Sequence, residues 1–355
     1  MLTVALIFGG RSAEHEISLA SARFVAASLS RDEYSLVPVG IMRDGAWVLP
    51  DDLESALRDG LEATPCRPVA LLPDPSRPGL QCADGTQIPV DFAFPILHGT
   101  YGEDGTIQGL FEMAGVPYAG GGVLGSSVGM DKELMKAAFA AWGLPQVDYV
   151  VFRDAGDRIP SCIERVESAF DYPVFVKPAN LGSSVGMTKA HDRGELDGAL
   201  QLAFRYDRKV IVEASATGKE VECAVLGNER PEASVPGLVV PANEFYDYES
   251  KYTDGMMTFT IPAPLDEQTT ARVRELAVQA FLAVDCSGFA RCDFFVLDGG
   301  EVIVNEINTI PGMTAFSAFP RLWEATGVGS AELVDRIVKL GIDQHRRRAA
   351  LVTTR

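Results

Sequence analysis

The stretch RCDFFVLDGGEVIVNEINTIPG, residues 291–312, predicts the β-hairpin around which the chain is organised. Residues 291–297 and 301–307 are rich in Phe, Val and Ile, which is typical of strands. The Gly299-Gly300 pair between them can supply the positive φ angles of a two-residue turn. We therefore expect two antiparallel strands joined directly by these glycines.

Polar side chains share one face of this hairpin. With a two-residue turn, Asp293 lies opposite Glu306 and Arg291 lies opposite Asn308, because strand side chains alternate between faces. Two carboxylates directly opposite each other repel, so the pair predicts a cation between them. Oxygen ligands without nearby His suit a hard cation such as Mg²⁺ or Mn²⁺. The alternative is a solvated face with scattered charges. It is weaker here because the hairpin leads into residues 309–312, a turn whose N–H groups can bind an anion.

The composition excludes several classes of protein. A chain of 355 residues that is 47% hydrophobic predicts two or three globular domains. The net charge of −18 argues against nucleic acid or an anionic membrane as a partner. No run approaches the roughly 18 apolar residues of a membrane span, and the N-terminus lacks a signal-peptide pattern, so we expect a cytoplasmic protein. Six dispersed Cys and four His without metal spacing argue against zinc.

The N-terminal region predicts an α/β domain with two polar loops after buried strands. Residues 3–8 form an apolar run that ends at a Gly pair and is followed by a helical pattern. Glu14 lies in that connection, where ligands of open sheets bind, although a first-turn Glu also complements a helix dipole. His98 follows the apolar run 90–97, and its alternative role is that of a satisfied structural histidine.

Two glycine-rich segments have different interpretations. Residues 116–130 form a connection and a candidate domain boundary, and their G-x-G-x-x-G spacing is not preceded by a strand and followed by a helix, so we reject a dinucleotide site. A helix over 131–142, carrying Lys132, follows. Lys177 lies in a strand before the Gly/Ser loop 180–187, an arrangement that can hold phosphates. The alternative is a hairpin with a snorkelling lysine.

The C-terminal half predicts strands and a long loop. Glu213 lies at the end of one strand and Glu220 lies within the next. They are candidates for adenine-side and ribose contacts respectively, and the alternative is that both are solvated strand residues. Residues 241–259 are too long for a hairpin turn and predict a lid. Lys251 and Tyr252 would then enter a closing site, unless the tyrosines only anchor the loop.

Four segments together resemble the D-alanine:D-alanine ligase family of the ATP-grasp superfamily. They are HGTYGEDGTIQG (98–109), VKPANLGSSVGM (176–187), EFYDYESKY (244–252) and R-x-D with NEINTIPGMT (305–314). The resemblance implies an α/β (α+β) fold with an N-terminal open parallel sheet domain, 1–120, and two α+β domains that sandwich ATP, 121–212 and 213–355. The lid would cover about 241–257. The family also implies a cytoplasmic homodimer, with neither nucleic acid nor membrane as a partner.

The resemblance implies a chemistry and a residue for each step. ATP phosphorylates the carboxylate of one D-alanine, the amine of a second attacks the acyl phosphate, and phosphate leaves. Asp293, Glu306 and Asn308 would hold two Mg²⁺ (or Mn²⁺), while Arg291 and the Gly312 N–H stabilise the oxyanion. The remaining implied assignments are Lys132, Lys177, Ser183, Glu213, Ala216, Glu220, Lys251 and Asn305 for ATP, Glu14, His98 and Ser317 for the substrates, and a hydrogen-bonded Glu14–Ser183–Tyr252 set.

The chain departs from the family pattern at Ala214-Ser215-Ala216, which is smaller and more polar than usual beside the adenine. By the same resemblance, Tyr252 implies an amine rather than a hydroxy acid as the second substrate. A D-alanyl-D-serine or depsipeptide ligase is an alternative activity. A nucleotide-binding scaffold without turnover is an alternative of another class.

Overall fold

The computed structural model describes residues 1–153, 158–182, 184–241 and 257–352. Strands in these ranges form three sheets. The strands are β1 (Leu2–Gly9), β2 (Tyr34–Ile41), β3 (Trp47–Pro50), β4 (Cys66–Leu71), β5 (Gly79–Cys82), β6 (Gln87–Pro89), β7 (Phe92–Pro95), β8 (Tyr149–Arg153), β9 (Val174–Pro178), β10 (Thr188–Ala190), β11 (Lys209–Ala214), β12 (Gly218–Gly227), β13 (Glu232–Ala233), β14 (Gly237–Pro241), β15 (Met257–Thr260), β16 (Gly288–Leu297) and β17 (Val302–Asn308).

Helices cover the sheets on their apolar faces. They are α1 (His15–Ser28), α2 (Leu53–Asp59), α3 (Thr106–Ala114), α4 (Val123–Met130), α5 (Lys132–Ala141), α6 (Ile159–Ala169), α7 (Arg193–Ala203), α8 (Glu267–Ala283), α9 (Ala318–Ala325) and α10 (Ser330–Ala349). A 3₁₀ turn covers Leu61–Ala63. No helix in the described ranges is both long enough and apolar enough to cross a membrane.

The first sheet has the order β6-β5-β4-β3-β2-β1-β7. Its parallel part is limited to β1 and the two neighbours β2 and β7, whereas β3 to β6 add an antiparallel extension. The predicted α/β (α+β) class is confirmed, and the N-terminal sheet is mixed rather than wholly parallel. Strand β1 is almost completely buried, which explains its continuous apolar sequence.

The other two sheets are antiparallel. A four-stranded sheet, β10-β9-β11-β8, packs against α6 and α7 and has its own apolar core. A larger sheet, β15-β14-β12-β16-β17 with β13 beside β12, packs on α8. The division at residues 120 and 212 remains a prediction, and α5 contributes Met135 and Phe139 to the core of the larger sheet.

One apolar core joins the first sheet to the larger antiparallel sheet. It contains Phe8 and Phe94 from the first sheet, Phe289 from β16, and Trp323 from α9, each at most 1% exposed. Burial of this kind contributes roughly 25 cal/mol per Å² of apolar surface removed from water. The two sheets therefore form one body, and the four-stranded sheet is attached to it.

The hairpin at 291–312 forms, but its turn differs from the prediction. Leu297 pairs with Glu301 across a three-residue loop in which Gly300 (φ 84°) has a positive φ and Gly299 does not. A β-bulge follows, with Asp293 opposite Glu306 but Phe294 opposite Val304, so that Asn305 is the extra residue. The longer loop and the bulge cancel, and the predicted pairing at Asp293 and Glu306 is confirmed.

The glycine-rich segment 116–130 contains a helix, α4, which the sequence analysis did not predict. Gly125 lies in this helix, and a Cβ atom built there would be 2.7 Å from the Asp285 carbonyl oxygen. The glycine therefore permits close packing of helix against backbone and does not mark a flexible linker.

Candidate active site

A cavity of about 770 Å³ lies where the first sheet meets the larger antiparallel sheet. Helix α1, the loop after β7, the hairpin β16–β17 and the start of α9 contribute to its lining. Eight of the predicted site residues line this one cavity, namely Glu14, His98, Lys132, Arg291, Glu306, Asn308, Gly312 and Ser317. Residues separated by just over 300 positions in the sequence are thus brought together.

The hairpin face has the alternation that its sequence predicted. Arg291 pairs with Asn308 and Asp293 with Glu306 across the ladder. The Arg291 guanidinium donates two hydrogen bonds of 2.7 Å to the Asp293 carboxylate, in the bidentate geometry that arginine favours. Asp293 is 3% exposed and lies below the cavity surface. Arg291 is therefore paired with the carboxylate for which the sequence predicts a cation.

The donor set of the hairpin suits a hard cation. The Asn308 Oδ1 atom is buried and accepts no hydrogen bond from any part of the chain that the structure describes. Such an atom is rare because desolvation without a partner costs about 1–3 kcal/mol. No group of three His, Cys, Asp or Glu side chains within the described ranges forms a metal site by itself. Asp293, Glu306 and the Asn308 amide oxygen instead offer two carboxylates and one neutral oxygen.

Two buried lysines flank one glutamate behind the cavity. The Glu213 carboxylate lies 2.6 Å from Lys177 Nζ and 3.1 Å from Lys136 Nζ, and all three side chains are at most 8% exposed. Burial alone would raise the pKa of Glu213, but the two ammonium groups outweigh burial and lower it to about 2. Burial lowers the pKa of Lys136, whereas Glu213 and Glu306 outweigh burial at Lys177 and raise its pKa. Lys177 is therefore a firmly charged cation close to the hairpin.

The Gly/Ser loop approaches α5 at one point and the N-terminal domain at another. Lys132 Nζ donates a 2.7 Å hydrogen bond to the Leu181 carbonyl oxygen. A Cβ atom built on Gly182 would lie 3.6 Å from Glu14 Oε2. Glu14 precedes α1 but makes no side-chain capping hydrogen bond to that helix, so its carboxylate is not a helix cap. It faces the loops at Gly99 and Gly182 instead.

Some of the predicted site residues do not line this cavity. Ala216 lines a second cavity of about 630 Å³, between residues 169–173 and 214–218, which shares no lining residue with the first. Asn305 is the bulge residue, and Glu220 contributes to the raised pKa of Lys177. Ser183, Lys251 and Tyr252 lie outside the described residues, as does most of the predicted lid.

Three acidic or basic residues at the site were not singled out from the sequence as site residues. Glu222 lies opposite Asp293 on β12, is 1% exposed, and approaches Arg291 Nε to 3.4 Å. Glu103 accepts hydrogen bonds from the Gly99 and Ile310 N–H groups. Lys136 is the third. The available signal for Glu222 was its position two residues after Glu220, which places both side chains on one strand face.

Comparison with known proteins identifies the family. Two family models, described as the N-terminus and the C-terminus of D-ala D-ala ligase, match residues 3–121 and 138–339. The chain belongs to the D-alanine–D-alanine ligase family. This is a family of ATP-dependent carboxylate–amine ligases.

Individual members of the D-alanine–D-alanine ligase family are similar over nearly the whole chain. The D-alanine--D-alanine ligase of Heliobacterium modesticaldum is 48% identical over 99% of this chain and 98% of its own length. That of Acetivibrio thermocellus is 45% identical over 96% of each chain. Among solved structures, the D-Ala:D-Ser ligase VanG from Enterococcus faecalis has a TM-score of 0.88 and 36% identity, covering 96% of this chain and 99% of its own. The D-alanine-D-alanine ligase from Coxiella burnetii has a TM-score of 0.84 and 35% identity, covering 98% and 97%.

Proposed function

We propose that this protein ligates two D-alanines to D-alanyl-D-alanine for peptidoglycan precursor synthesis, with release of ADP and phosphate. The observation that carries the proposal is the single cavity in which Glu14, Arg291 and the hairpin oxygens converge. An ammonium partner, an oxyanion partner and a cation set are the groups that an acyl-phosphate ligation requires. Membership of the ligase family supports the same reaction.

Asp293, Glu306 and Asn308 would hold two Mg²⁺ or Mn²⁺ ions. The buried Asn308 Oδ1 atom, which lacks a hydrogen-bond partner among the described residues, supports this assignment. Bound divalent ions would neutralise charge on the transferring phosphoryl group. Arg291 would release Asp293 as the ions bind and turn its guanidinium toward the reacting carboxylate.

ATP would lie beside the lysines. Lys132 and Lys177 would contact the phosphates, and the charged state of Lys177 is maintained by Glu213 and Glu306. Glu220 would bind the ribose. The wider set of proposed ATP contacts comprises Ser183, Glu213, Ala216, Lys251 and Asn305.

The first D-alanine would bind with its ammonium group at Glu14 and its carboxylate toward Arg291, and His98 would line this subsite. Transfer of the γ-phosphoryl group to that carboxylate forms an acyl phosphate and ADP. Ser317 would hold the carboxylate of the second D-alanine, whose neutral amine attacks the acyl carbon. Arg291 and the Gly312 N–H would stabilise the oxyanion before phosphate leaves, and each such donor typically contributes about 10²- to 10³-fold in rate.

The remaining parts of the proposal concern the lid and the assembly. Ser183 and Tyr252 would connect to Glu14 when the lid, about 241–257, closes and brings Lys251 to the phosphate. The protein would act as a cytoplasmic homodimer with domains at 1–120, 121–212 and 213–355. Similarity to a D-Ala:D-Ser ligase makes D-serine the second candidate for the acceptor.

A phosphate-release assay with ATP, Mg²⁺ and D-alanine tests the activity. We expect release only when all three are present, and D-alanine, D-serine and D-lactate compared as acceptors at neutral pH identify the product. ATP binding in calorimetry without phosphate release would contradict the proposal and favour a scaffold.

The variant Glu306→Gln tests the metal assignment. It removes one carboxylate charge at constant size, so we expect about 10²-fold or greater loss of turnover with an unchanged melting temperature. Glu301→Gln, in the exposed hairpin loop, is the matched control and should keep full turnover. Near-normal turnover of Glu306→Gln would show that the cation lies elsewhere.

A further inference from the structure

Three side chains of the N-terminal domain hold the backbone that follows the hairpin. Glu103 Oε1 accepts a 3.1 Å hydrogen bond from the Ile310 N–H, and His98 Nδ1 lies 2.9 Å from the Ile310 carbonyl oxygen. Ser21 Oγ accepts a 3.1 Å hydrogen bond from the Met313 N–H. Ser21, His98 and Glu103 are each at most 7% exposed, and we call them the backbone clamp.

The hydrogen bonds of the clamp define its proton positions. A carbonyl oxygen only accepts, so His98 Nδ1 carries a hydrogen, and in the neutral ring Nε2 is then the acceptor. Ser21 Oγ, 2.9 Å from Nε2, supplies the donor. Burial lowers the pKa of His98, which is consistent with this neutral ring. Every polar atom of the His98 and Ser21 side chains therefore has a matched partner.

The clamp bonds the Ile310 carbonyl oxygen and the Met313 N–H from outside their own segment. Ile310 and Met313 are three residues apart, and in a closed β-turn the carbonyl of the first would accept from the N–H of the second. Here the carbonyl is bonded to His98 and the N–H to Ser21, and these two side chains are bonded to each other. The geometry of the segment is thus dictated by a different part of the chain.

This arrangement selects one N–H group for a ligand. Pro311 has no N–H, and those of Ile310 and Met313 are engaged by the clamp. The Gly312 N–H has no hydrogen-bond partner within the described ranges, and Gly312 lines the cavity. A fixed donor of this kind stabilises developing negative charge without reorganisation.

We propose that Ser21, His98 and Glu103 are positioning residues that aim the Gly312 N–H at the oxyanion oxygen on the reacting carbon. This inference rests on the proposed function, in which that N–H binds the oxyanion. A donor displaced by a fraction of an ångström loses part of its contribution, so weakening the clamp is expected to lower kcat about 10- to 100-fold. A clamp that only joined the two sheets would affect stability and leave kcat unchanged.

Ser21→Ala and Ser18→Ala form a matched pair for the test. Both serines are on α1, three residues apart, and both are 0% exposed. Ser18 Oγ accepts from the Gly9 N–H at 2.8 Å and donates to the Ile96 carbonyl oxygen, so its bonds stay within the first sheet. Each substitution deletes one buried hydroxyl of the same size, and only Ser21→Ala opens the clamp.

Steady-state phosphate release at saturating ATP and Mg²⁺, with varied D-alanine, separates the outcomes. We expect Ser21→Ala to lower kcat at least 10-fold with KM for D-alanine unchanged, and Ser18→Ala to keep kcat within about twofold despite a similar fall in melting temperature. Glu103→Gln, which keeps the side-chain shape, is the second variant and should lower kcat in the same way.

Equal kcat values for the two serine variants and wild type would overturn the clamp proposal, as would a loss confined to KM. That failure is distinct from failure of the proposed function, because wild type would still release phosphate in the same assay. If wild type released none, the proposed reaction and the role of the clamp in it would both be wrong.

Discussion

At the scale of single residues, Glu213 has the most demanding environment. Its carboxylate is buried between two lysine side chains that are themselves at most 8% exposed. Taking three charged groups out of water is costly unless their charges compensate, and here one carboxylate serves two ammonium groups. Removing that carboxylate leaves the lysines uncompensated, so its contribution to stability is larger than that of any exposed ion pair.

We expect Glu213→Gln to destabilise the first urea-induced unfolding transition by about 3–5 kcal/mol at pH 7. The folded-state pKa of Glu213 is lowered from 4.5 to about 2, so its stabilising effect is complete above pH 4.5 and is lost as the pH falls toward 2. The difference between wild type and variant should therefore shrink below pH 4.5. Glu167→Gln, at an exposed pair with Arg193, is the control and should change stability by less than about 1 kcal/mol. An equal loss in both variants would contradict the assigned pairing.

At the scale of elements, helix α4 explains a difference between sequence and structure. Its glycines suggested a linker, yet Gly125 packs directly on the Asp285–Cys286 backbone. Gly109 in α3 is also helical, but a Cβ atom there would meet nothing within 4 Å. The two glycines look alike in sequence and differ only in their neighbours.

These glycines give opposite expectations for the same substitution. Gly125→Ala should destabilise the protein by about 1–3 kcal/mol, because the new methyl group would overlap backbone that cannot move away freely. Gly109→Ala should stabilise it by about 0.5–1 kcal/mol, because alanine restricts the unfolded chain and favours helix. Thermal unfolding of both variants measures the effect. A stabilised Gly125→Ala protein would show that α4 lies farther from residue 285.

The hairpin shows how far local sequence determines the site. Alternation alone placed Arg291, Asp293, Glu306 and Asn308 on one face, because it depends only on the period of a strand. The predicted turn was one residue too short, and the bulge at Asn305 was not predicted. The two errors cancelled, so the predicted pairing of Asp293 with Glu306 is correct. Turn length and bulges depend on how strands twist against partners, which two short apolar runs do not encode.

Residues contributed by distant elements were the hardest to predict. Glu222 reaches Asp293 through a strand pairing that spans about seventy residues, and Glu103 reaches Ile310 across more than two hundred. Apart from the position of Glu222 two residues after Glu220, nothing in the local pattern distinguishes either residue from a solvated acid. The loop after the first strand indicated Glu14, the family resemblance supplied its role and Ser317, and the structure brings both residues to the cavity that contains the hairpin face.

At the scale of the whole molecule, the apolar cores define two bodies. One core runs continuously from the first sheet into the larger antiparallel sheet, and the four-stranded sheet has a separate core of residues such as Phe152 and Val212. Polar links, including Lys209 with Asp131, join the smaller body to α5. A small core held to its neighbour by polar contacts unfolds more readily than a large one.

Hydrogen exchange in low concentrations of urea should resolve this difference. We expect the amides of β9 and β11 to exchange through an opening that leaves β1, β12 and β16 protected. Lys209→Met, which removes the link to Asp131, should lower the protection of β9 and β11 further and leave β1 unchanged. A single opening free energy shared by all five strands would show that the two bodies unfold as one.

Because the four-stranded sheet has a separate core, residues 148–214 form a segment that can be exchanged between related proteins. The chain enters this segment just after Gln146, which bridges to Val304, and leaves it where the Ala214 N–H returns to the Asp148 carbonyl. Its two ends therefore lie side by side, and a recombination that exchanges the segment between relatives cuts neither of the larger cores. Chimeras made at these junctions would keep the host's acceptor subsite and take the donor's Gly/Ser loop, provided that a glutamate at position 213 still faces the lysine at 136. The four-stranded sheet and the acceptor subsite can then be varied independently in one laboratory lineage.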